Sequence, residues 1–207
     1  MKLHWSSRSP YVRKVLVAAE ETNTAARIET VLSIVSMQSA NPEVLRDNPL
    51  GKIPTLITDD GQALYDSLVI CESLDHIGNG TRLFPPAFDE RLQALRWHAL
   101  GSGLTDLLIV WFNERGRKPE LQSSAHLQAY AAKCRSALDA LEASVQALAQ
   151  RPFDIGHIAV GAALAHADFR FGDIAWREGR PQLAAWFDGI NQRESFRKTV
   201  QVDPAAK

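Results

Sequence analysis

The chain is predicted to be a small α/β unit followed by an all-helical unit, and three observations carry the prediction. Strand-like alternation and the one clear hairpin signal fall before residue 78, and helical periodicity takes over from residue 87. Between them lies "GNGTRLFPP" (78–86), whose Gly and Pro punctuation reads as a linker. The expected units are therefore residues 1–78 and 87–207. Of the 207 residues, 45% are hydrophobic and 23% charged, enough apolar surface for a real core.

Each element has a local reason. "MKLHW" is short and alternating, as a first strand should be. Ser9 is a good N-cap and Pro10 suits a first helical position, so Val12, Val15, Leu16 and Ala19 define a helix over about 10–22. "RIETVLS" (27–33) reads as a second strand, and "NPEVLRDNPLG" is turn-rich with room for one short helix. "PTLIT" and "QALYD" flank Asp59-Asp60-Gly61, a hairpin turn. Ser67 opens a helix through Leu68, Val69, Cys71, Leu74 and Ile77 that ends near Gly78. Leu92, Leu95, Ala99, Gly103, Leu107 and Trp111 recur at helical spacing, as do Leu127, Tyr130, Cys134, Leu138, Leu141, Val145 and Leu148. "IGHIAVGAALAHADFRF" is apolar nearly all round and marks a buried central helix, and "PQLAAWFDGINQ" a final amphipathic one.

Composition excludes several classes of function. A formal net charge of −1 gives no global electrostatic case for nucleic acid or an anionic membrane. Cys71 and Cys134 are far apart without a CxxC, and read as reduced core residues. The six histidines are dispersed, so no metal is expected. No signal-peptide core or bilayer-length apolar run is present, which makes the expected location cytoplasmic.

Three short segments carry the chemistry. "NPLGKIPTL" (48–56) places Ile53-Pro54 at the mouth of a strand. With that bond cis, the backbone groups of Ile53 face outward and can pair with an extended peptide-like ligand. "YDSLVICESLD" (65–75) sets Asp66-Ser67 at a helix N-terminus, able to hold a carboxylate and meet an amine. "SRSPYVRK" adds a second helix start rich in hydroxyls. Together they would bind a zwitterionic amino-acid head, a peptide bond and a reactive atom near Ser9.

In order and spacing, "SPYVRKV", "NPLGKIPTL" and "DSLVICESLD" resemble the glutathione S-transferase family, and the helical half extends the likeness over nearly the whole chain. The nearest likeness is to small bacterial members whose first helix opens with Ser-Pro-Phe/Tyr-Val-Arg-Lys. The resemblance implies a thioredoxin-like N-terminal domain and an all-α helical C-terminal domain. It also implies glutathione as co-substrate, a small hydrophobic electrophile as second substrate, and a homodimer. Carried over position by position, Ser9 falls on the thiol-activating serine and Ile53, before cis Pro54, on the peptide-pairing residue. Asp66 and Ser67 fall on the γ-glutamyl-binding pair, and Lys52 near the glycyl end. Tyr11, Trp111 and Phe112 are candidates for the electrophile pocket; with Trp97, the two α-helical aromatics read equally well as packing.

A serine suffices for the chemistry. A thiol of pKa about 8.5 is only a few per cent ionised at pH 7, and lowering it by about two units takes roughly 2.7 kcal/mol. One hydrogen bond to the charged sulfur supplies about 1.5–3 kcal/mol and a helix N-terminus about 0.3–1. Plainer readings stand beside this one. Ser9 reads also as an ordinary N-cap and Asp66 as a turn residue; Ser6 and Ser7 are solvated hydroxyls or, for either, the thiol partner; Arg8 and Arg13 are surface or salt-bridge residues. The family's buried helix opens with a Ser/Thr-x-x-Asp capping box, whereas here Asp154 is the cap and His157 stands at the acidic position, so the reciprocal carboxylate bond is expected to be missing. Conjugation or reduction by glutathione is the leading functional reading. A stringent-starvation-type binding or regulatory protein is the alternative, and a lyase or dehalogenase sharing the same first domain a third.

Overall fold

The computed structural model describes residues 1–203, and its elements follow the predicted order. Strand β1 (Lys2–Trp5) leads into α1 (Pro10–Glu21), then β2 (Glu29–Leu32), α2 (Pro42–Asp47), the hairpin β3 (Thr55–Ile57) and β4 (Ala63–Leu64), and α3 (Ser67–Ile77). Five helices follow: α4 (Phe88–Arg115), α5 (Ser124–Ala149), α6 (Ile155–Arg170), α7 (Pro181–Asn191) and α8 (Glu194–Lys198). Sequence periodicity missed α8 and the single 3-10 turns at 25–27, 119–121 and 172–174, all too short to show a period.

The sheet order is β2-β1-β3-β4, with β1 parallel to β2 and antiparallel to β3, and β3 antiparallel to β4. Alternation assigns its faces. The paired Leu3 and Leu56 point into a core with Val15, Ala18 and Ala19 of α1 and Ile70, Cys71 and Leu74 of α3. His4, one residue on, faces the other side, where its ring nitrogens meet Ser33 Oγ and Asp47 Oδ2, each at 2.8 Å.

The helical half packs around α6, buried from Ile155 to Ala167. The long helix α4 is where expected, but its buried stripe is Ala94, Trp97, His98, Gly101, Leu104, Thr105 and Leu108, not the Leu92–Trp111 series. Hydropathy discounts His98, Gly101 and Thr105, yet at Gly101 the helix backbone comes right up to α6. A Cβ there would lie 2.5 Å from the Ala159 carbonyl carbon, so the helices meet backbone to backbone. The expected stripe on α5 does hold, with Cys134, Leu138, Leu141, Val145 and Leu148 buried. Both cysteines are free and buried.

Two sequence expectations need correction. The α6 capping box is complete: Asp154 Oδ1 accepts the Gly156 and His157 N–H groups at 2.9 and 3.3 Å, and His157 Nδ1 accepts the Asp154 N–H at 3.1 Å. An imidazole nitrogen supplies the acceptor that a carboxylate supplies elsewhere. Nor is Arg13 a surface or ion-pair residue. It is 5% exposed, donates from Nη2 to the Phe196 carbonyl at 3.2 Å and lies over the Phe196 ring.

The halves are latched at the end of α1. Arg193 donates to Glu21 at 2.9 and 2.7 Å, Ser195 Oγ at 2.6 Å and Thr81 Oγ1 at 3.3 Å. Burial alone would raise the Glu21 pKa, but the bonds from Arg193, Ser195 and Thr81 outweigh it and hold the carboxyl below its ordinary 4.5. A depressed carboxyl stabilises the fold above its unfolded value, and the contribution is lost as pH falls through the lower folded value. Glu21→Ala should therefore cost about 1–3 kcal/mol in urea unfolding at neutral pH. The gap between variant and parent should narrow as pH drops below the ordinary 4.5; a gap independent of pH would contradict the assignment.

Candidate functional site

The candidate residues gather where β1 ends and α1 and α3 begin. Ser9 is extended (φ −79°, ψ 121°) and caps α1, with Oγ accepting the Val12 N–H at 3.2 Å and Pro10 in the first turn. A tight turn precedes it: the Ser9 N–H donates to the Ser6 carbonyl at 3.2 Å, and buried Ser6 turns its Oγ to the Arg8 N–H at 3.4 Å. The capping bond takes one lone pair of the Ser9 hydroxyl and leaves its proton free to donate at the positive end of the helix.

The ladder register carries β3 to this point. His4 pairs with Thr55, so continuing it sets the end of β1 beside Ile53–Pro54, whose peptide bond is cis. Ile53 packs with Val12 of α1 and Val44 of α2 and lies outside the paired residues of β3. Its approach is fixed by buried Asn48, which donates to the Lys52 carbonyl at 3.1 Å and to Thr55 Oγ1 at 3.0 Å, while Thr55 Oγ1 donates to the same carbonyl at 2.8 Å. Lys52 itself is exposed. The sequence offered Asn48 only as a turn residue.

Asp66 is exposed and caps α3, its Oδ1 accepting the Leu68 N–H at 3.0 Å, and buried Ser67 is the first residue of that helix. The Asp66 charge reaches Tyr11, Lys14 and His98, so the α3 start lies within electrostatic range of α1.

On the helical side, the Tyr11 hydroxyl donates to Asp106 of α4. Burial first, and then this bond, push its pKa above the ordinary 10.0, so Tyr11 is a neutral phenol and not a base. Trp111 and Phe112 lie about one and a half turns further along α4. Trp111 is stacked on Phe171 at 4.9 Å in the helical core, whereas the exposed Phe112 meets the Phe171 edge at 6.4 Å. A cluster that no motif announced lies behind Tyr11. Lys14, 2% exposed, donates from Nζ to Ser102 Oγ at 2.8 Å and to His98 Nε2 at 3.2 Å. A cavity of about 660 Å³ lies elsewhere, between the end of α1 and α8, and is lined by residues such as Glu21, Arg193 and Lys198. Among the described residues there is no metal-holding cluster, and no helix is long and apolar enough to cross a membrane.

A thioredoxin-like four-stranded domain joined to a helical domain, with this trio of helix starts and strand mouth, defines a glutathione-type transferase fold. The comparisons agree. The chain matches the Glutathione S-transferase, N-terminal domain over residues 8–77 and the Glutathione S-transferase, C-terminal domain over residues 124–189. It is 40% identical to a glutathione transferase family member from Pseudomonas fluorescens Pf-5 solved with bound glutathione, with a TM-score of 0.94 and coverage of 98% of this chain and 99% of that one. A second structure from that organism holds S-(propanoic acid)-glutathione, at 39% identity, TM-score 0.89 and coverage of 98% and 100%. The uncharacterized GST-like protein YibF of Escherichia coli (strain K12) is 29% identical over 96% of this chain and 98% of its own length. The chain belongs to the glutathione S-transferase family.

The buried histidine beside the site gives a pH prediction. Burial, then the charge of Lys14, push His98 down to about 4, so it is neutral in the fold. Below its ordinary 6.5 the unfolded chain takes up a proton that the fold refuses, so stability falls as pH drops from 6.5 towards 4. Replacing His98 with Gln should flatten the decline of Tm across that interval. An unchanged slope would show that His98 does not titrate in this way.

Proposed function

We propose that this chain is a glutathione transferase that binds glutathione across the starts of α1 and α3, ionises its thiol, and delivers the thiolate to a small hydrophobic electrophile by conjugation or reduction. The observation that carries the reading is the geometry of Ser9. Its oxygen is held by the Val12 N–H, while its proton remains free at the positive end of a twelve-residue helix. A thiolate there gains a charged hydrogen bond and a favourable dipole together. Ile53 would pair with the cysteinyl backbone of glutathione, Asp66 and Ser67 would hold the γ-glutamyl end, and Lys52 would meet the glycyl carboxylate. Glutathione and a glutathione conjugate bound to the Pseudomonas fluorescens relatives support this assignment. Tyr11 and the exposed Phe112 would face the electrophile, with Trp111, packed on Phe171, behind them.

Ser9→Ala should raise the apparent thiol pKa of bound glutathione towards the free value and lower turnover, because about 1.5–3 kcal/mol of thiolate preference goes with the hydroxyl. Glutathione affinity should stay within a few-fold. Ser67→Ala should do the reverse, raising KM for glutathione with kcat nearly intact, since it removes uniform binding away from the reacting sulfur. A pH–rate profile that moves in Ser6→Ala but not in Ser9→Ala would transfer the role to Ser6. Equal calorimetric affinity for glutathione in Ser67→Ala and parent would refute the γ-glutamyl anchor.

We also propose that the protein is a homodimer. The outer faces of α3 and early α4 leave large apolar side chains in water: Val69 is 46% exposed, Ile77 37%, Phe88 76% and Leu92 50%. Symmetric pairing covers such surface, and a stable interface of this kind buries on the order of 2,000 Å² or more. Light scattering during gel filtration should report twice the 22.9 kDa chain mass. A single-chain mass at micromolar concentration would contradict the pairing.

A further inference from the structure

The turn that presents Ser9 is held from behind by a segment nearly two hundred residues away in sequence. Gln201 is buried, and its side-chain NH2 group donates to the Arg8 carbonyl at 2.7 Å. One residue on, the Val202 N–H donates to the Ser7 carbonyl at 3.3 Å. Among the described residues, the other hydrogen bonds of residues 6–9 are local, made within the turn or to the first turn of α1. Residues 201 and 202 thus make the polar contacts that tie this turn to the helical half.

The holding segment is itself anchored on α6. The second proton of the Gln201 amide points to His166 Nδ1 at 3.1 Å, and Arg170 grips Asp203 through two bonds of 2.8 and 2.6 Å. Burial, and then the Arg170 charge, push His166 down to about 4, so at neutral pH the ring is uncharged, and in the tautomer with Nδ1 unprotonated it accepts from the amide. Both amide protons of Gln201 are committed, whereas its buried Oε1 has no partner among the described residues. The NH2 end is therefore what orients the side chain, and a carboxylate of the same shape could not replace it.

We infer that Gln201 is a positioning residue for the thiolate site: with the Val202 N–H it fixes the 6–9 turn against α6, and so fixes where the Ser9 hydroxyl points. This rests on the assignment of Ser9 as the thiol-stabilising group. Gln201 is not among the residues proposed to meet glutathione or the electrophile. Its effect passes through the Arg8 carbonyl, one peptide from Ser9, and is felt as misplacement of a donor whose strength depends on direction.

The test titrates the ultraviolet thiolate absorbance of bound glutathione, and measures kcat and KM with chlorodinitrobenzene, in the parent, Gln201→Glu, Asp203→Asn and Ser9→Ala. Gln201→Glu keeps the shape but replaces both donors with acceptors facing the Arg8 carbonyl and His166 Nδ1. It should raise the apparent thiol pKa by about half a unit to one unit and lower kcat about three- to tenfold, with KM for glutathione within about twofold. Asp203→Asn, a change at an exposed ion pair, should move the same quantities in the same direction but less. A purely structural role would lower Tm without moving the thiol pKa, and that result overturns the inference. Should Gln201→Glu lose its cooperative melting transition, an unchanged thiol pKa in Asp203→Asn overturns it instead. Where Ser9→Ala shifts the thiol pKa and neither of the other variants does, the inference fails and the function stands. Where Ser9→Ala shifts nothing, the inference fails together with the assignment of Ser9 as the thiol-stabilising group.

Discussion

Helix α1 is buried on nearly every side, and most of the interior polar structure follows from that constraint. It packs on the sheet and α3 on one flank and on α6 and α8 on the other, so Arg13 and Lys14 go inside with Val12, Val15, Val17 and Ala18. Buried cations cost several kcal/mol each unless their donors are met. The fold meets them with neutral acceptors. Lys14 takes Ser102 and a histidine held deprotonated, and Arg13 takes a backbone carbonyl and the face of Phe196. Burial lowers the pKa of both cations, Arg13 to about 10. Because these partners are neutral, the charges of Arg13 and Lys14 are not cancelled and add, with those of Asp66 and Asp106, to the field of the helix itself.

What the sequence made legible was local. Ser9-Pro10, Ile53-Pro54 and Asp66-Ser67 are caps and strand mouths whose geometry is decided within four or five residues, so their types and spacing can be read directly. The same holds for the α5 stripe, where every buried position is apolar. On α4 the pattern misled because the tightest contact is made by a residue with no side chain, and its neighbours on that face are His98 and Thr105. His157 was misread because the capping-box signature names residue types, whereas the physics asks only for an acceptor at that position. Nothing in the sequence near Lys14 announces the helix, 84 residues on, that helps to bury it. The contacts from Gln201 and Val202 to Arg8 and Ser7 leave no sequence signal at all.

Placing glutathione recognition on these local features separates the two halves of the chemistry. One substrate would be read by backbone groups and helix ends of the α/β half, whose geometry depends on caps and register. The other would meet side chains of α4 that share only a helical face, bounded by Tyr11 and its acceptor Asp106. That bond ties the first turn of α1 to the middle of α4, so the opening of such a second site would be linked to the turn that carries Ser9. Changes along α4 beyond Asp106 can then alter which electrophile fits without disturbing how glutathione is held.

The competing readings of Ser9, a helix cap or a thiol partner, are not exclusive once valence is considered. A hydroxyl has two lone pairs and one proton. Capping consumes a lone pair, through the Val12 N–H at 3.2 Å, and fixes the oxygen at the helix axis end. The proton cannot point at the N–H that the oxygen is accepting, so it is left free to be donated elsewhere. The interaction that stabilises α1 thereby leaves free the donor that a thiolate would need. An alanine at this position would remove both at once, whereas a threonine would keep the cap and the proton but add a methyl to the approach. An aspartate, which keeps an acceptor for the Val12 N–H but carries no proton at neutral pH, would separate helix stability from thiolate stabilisation.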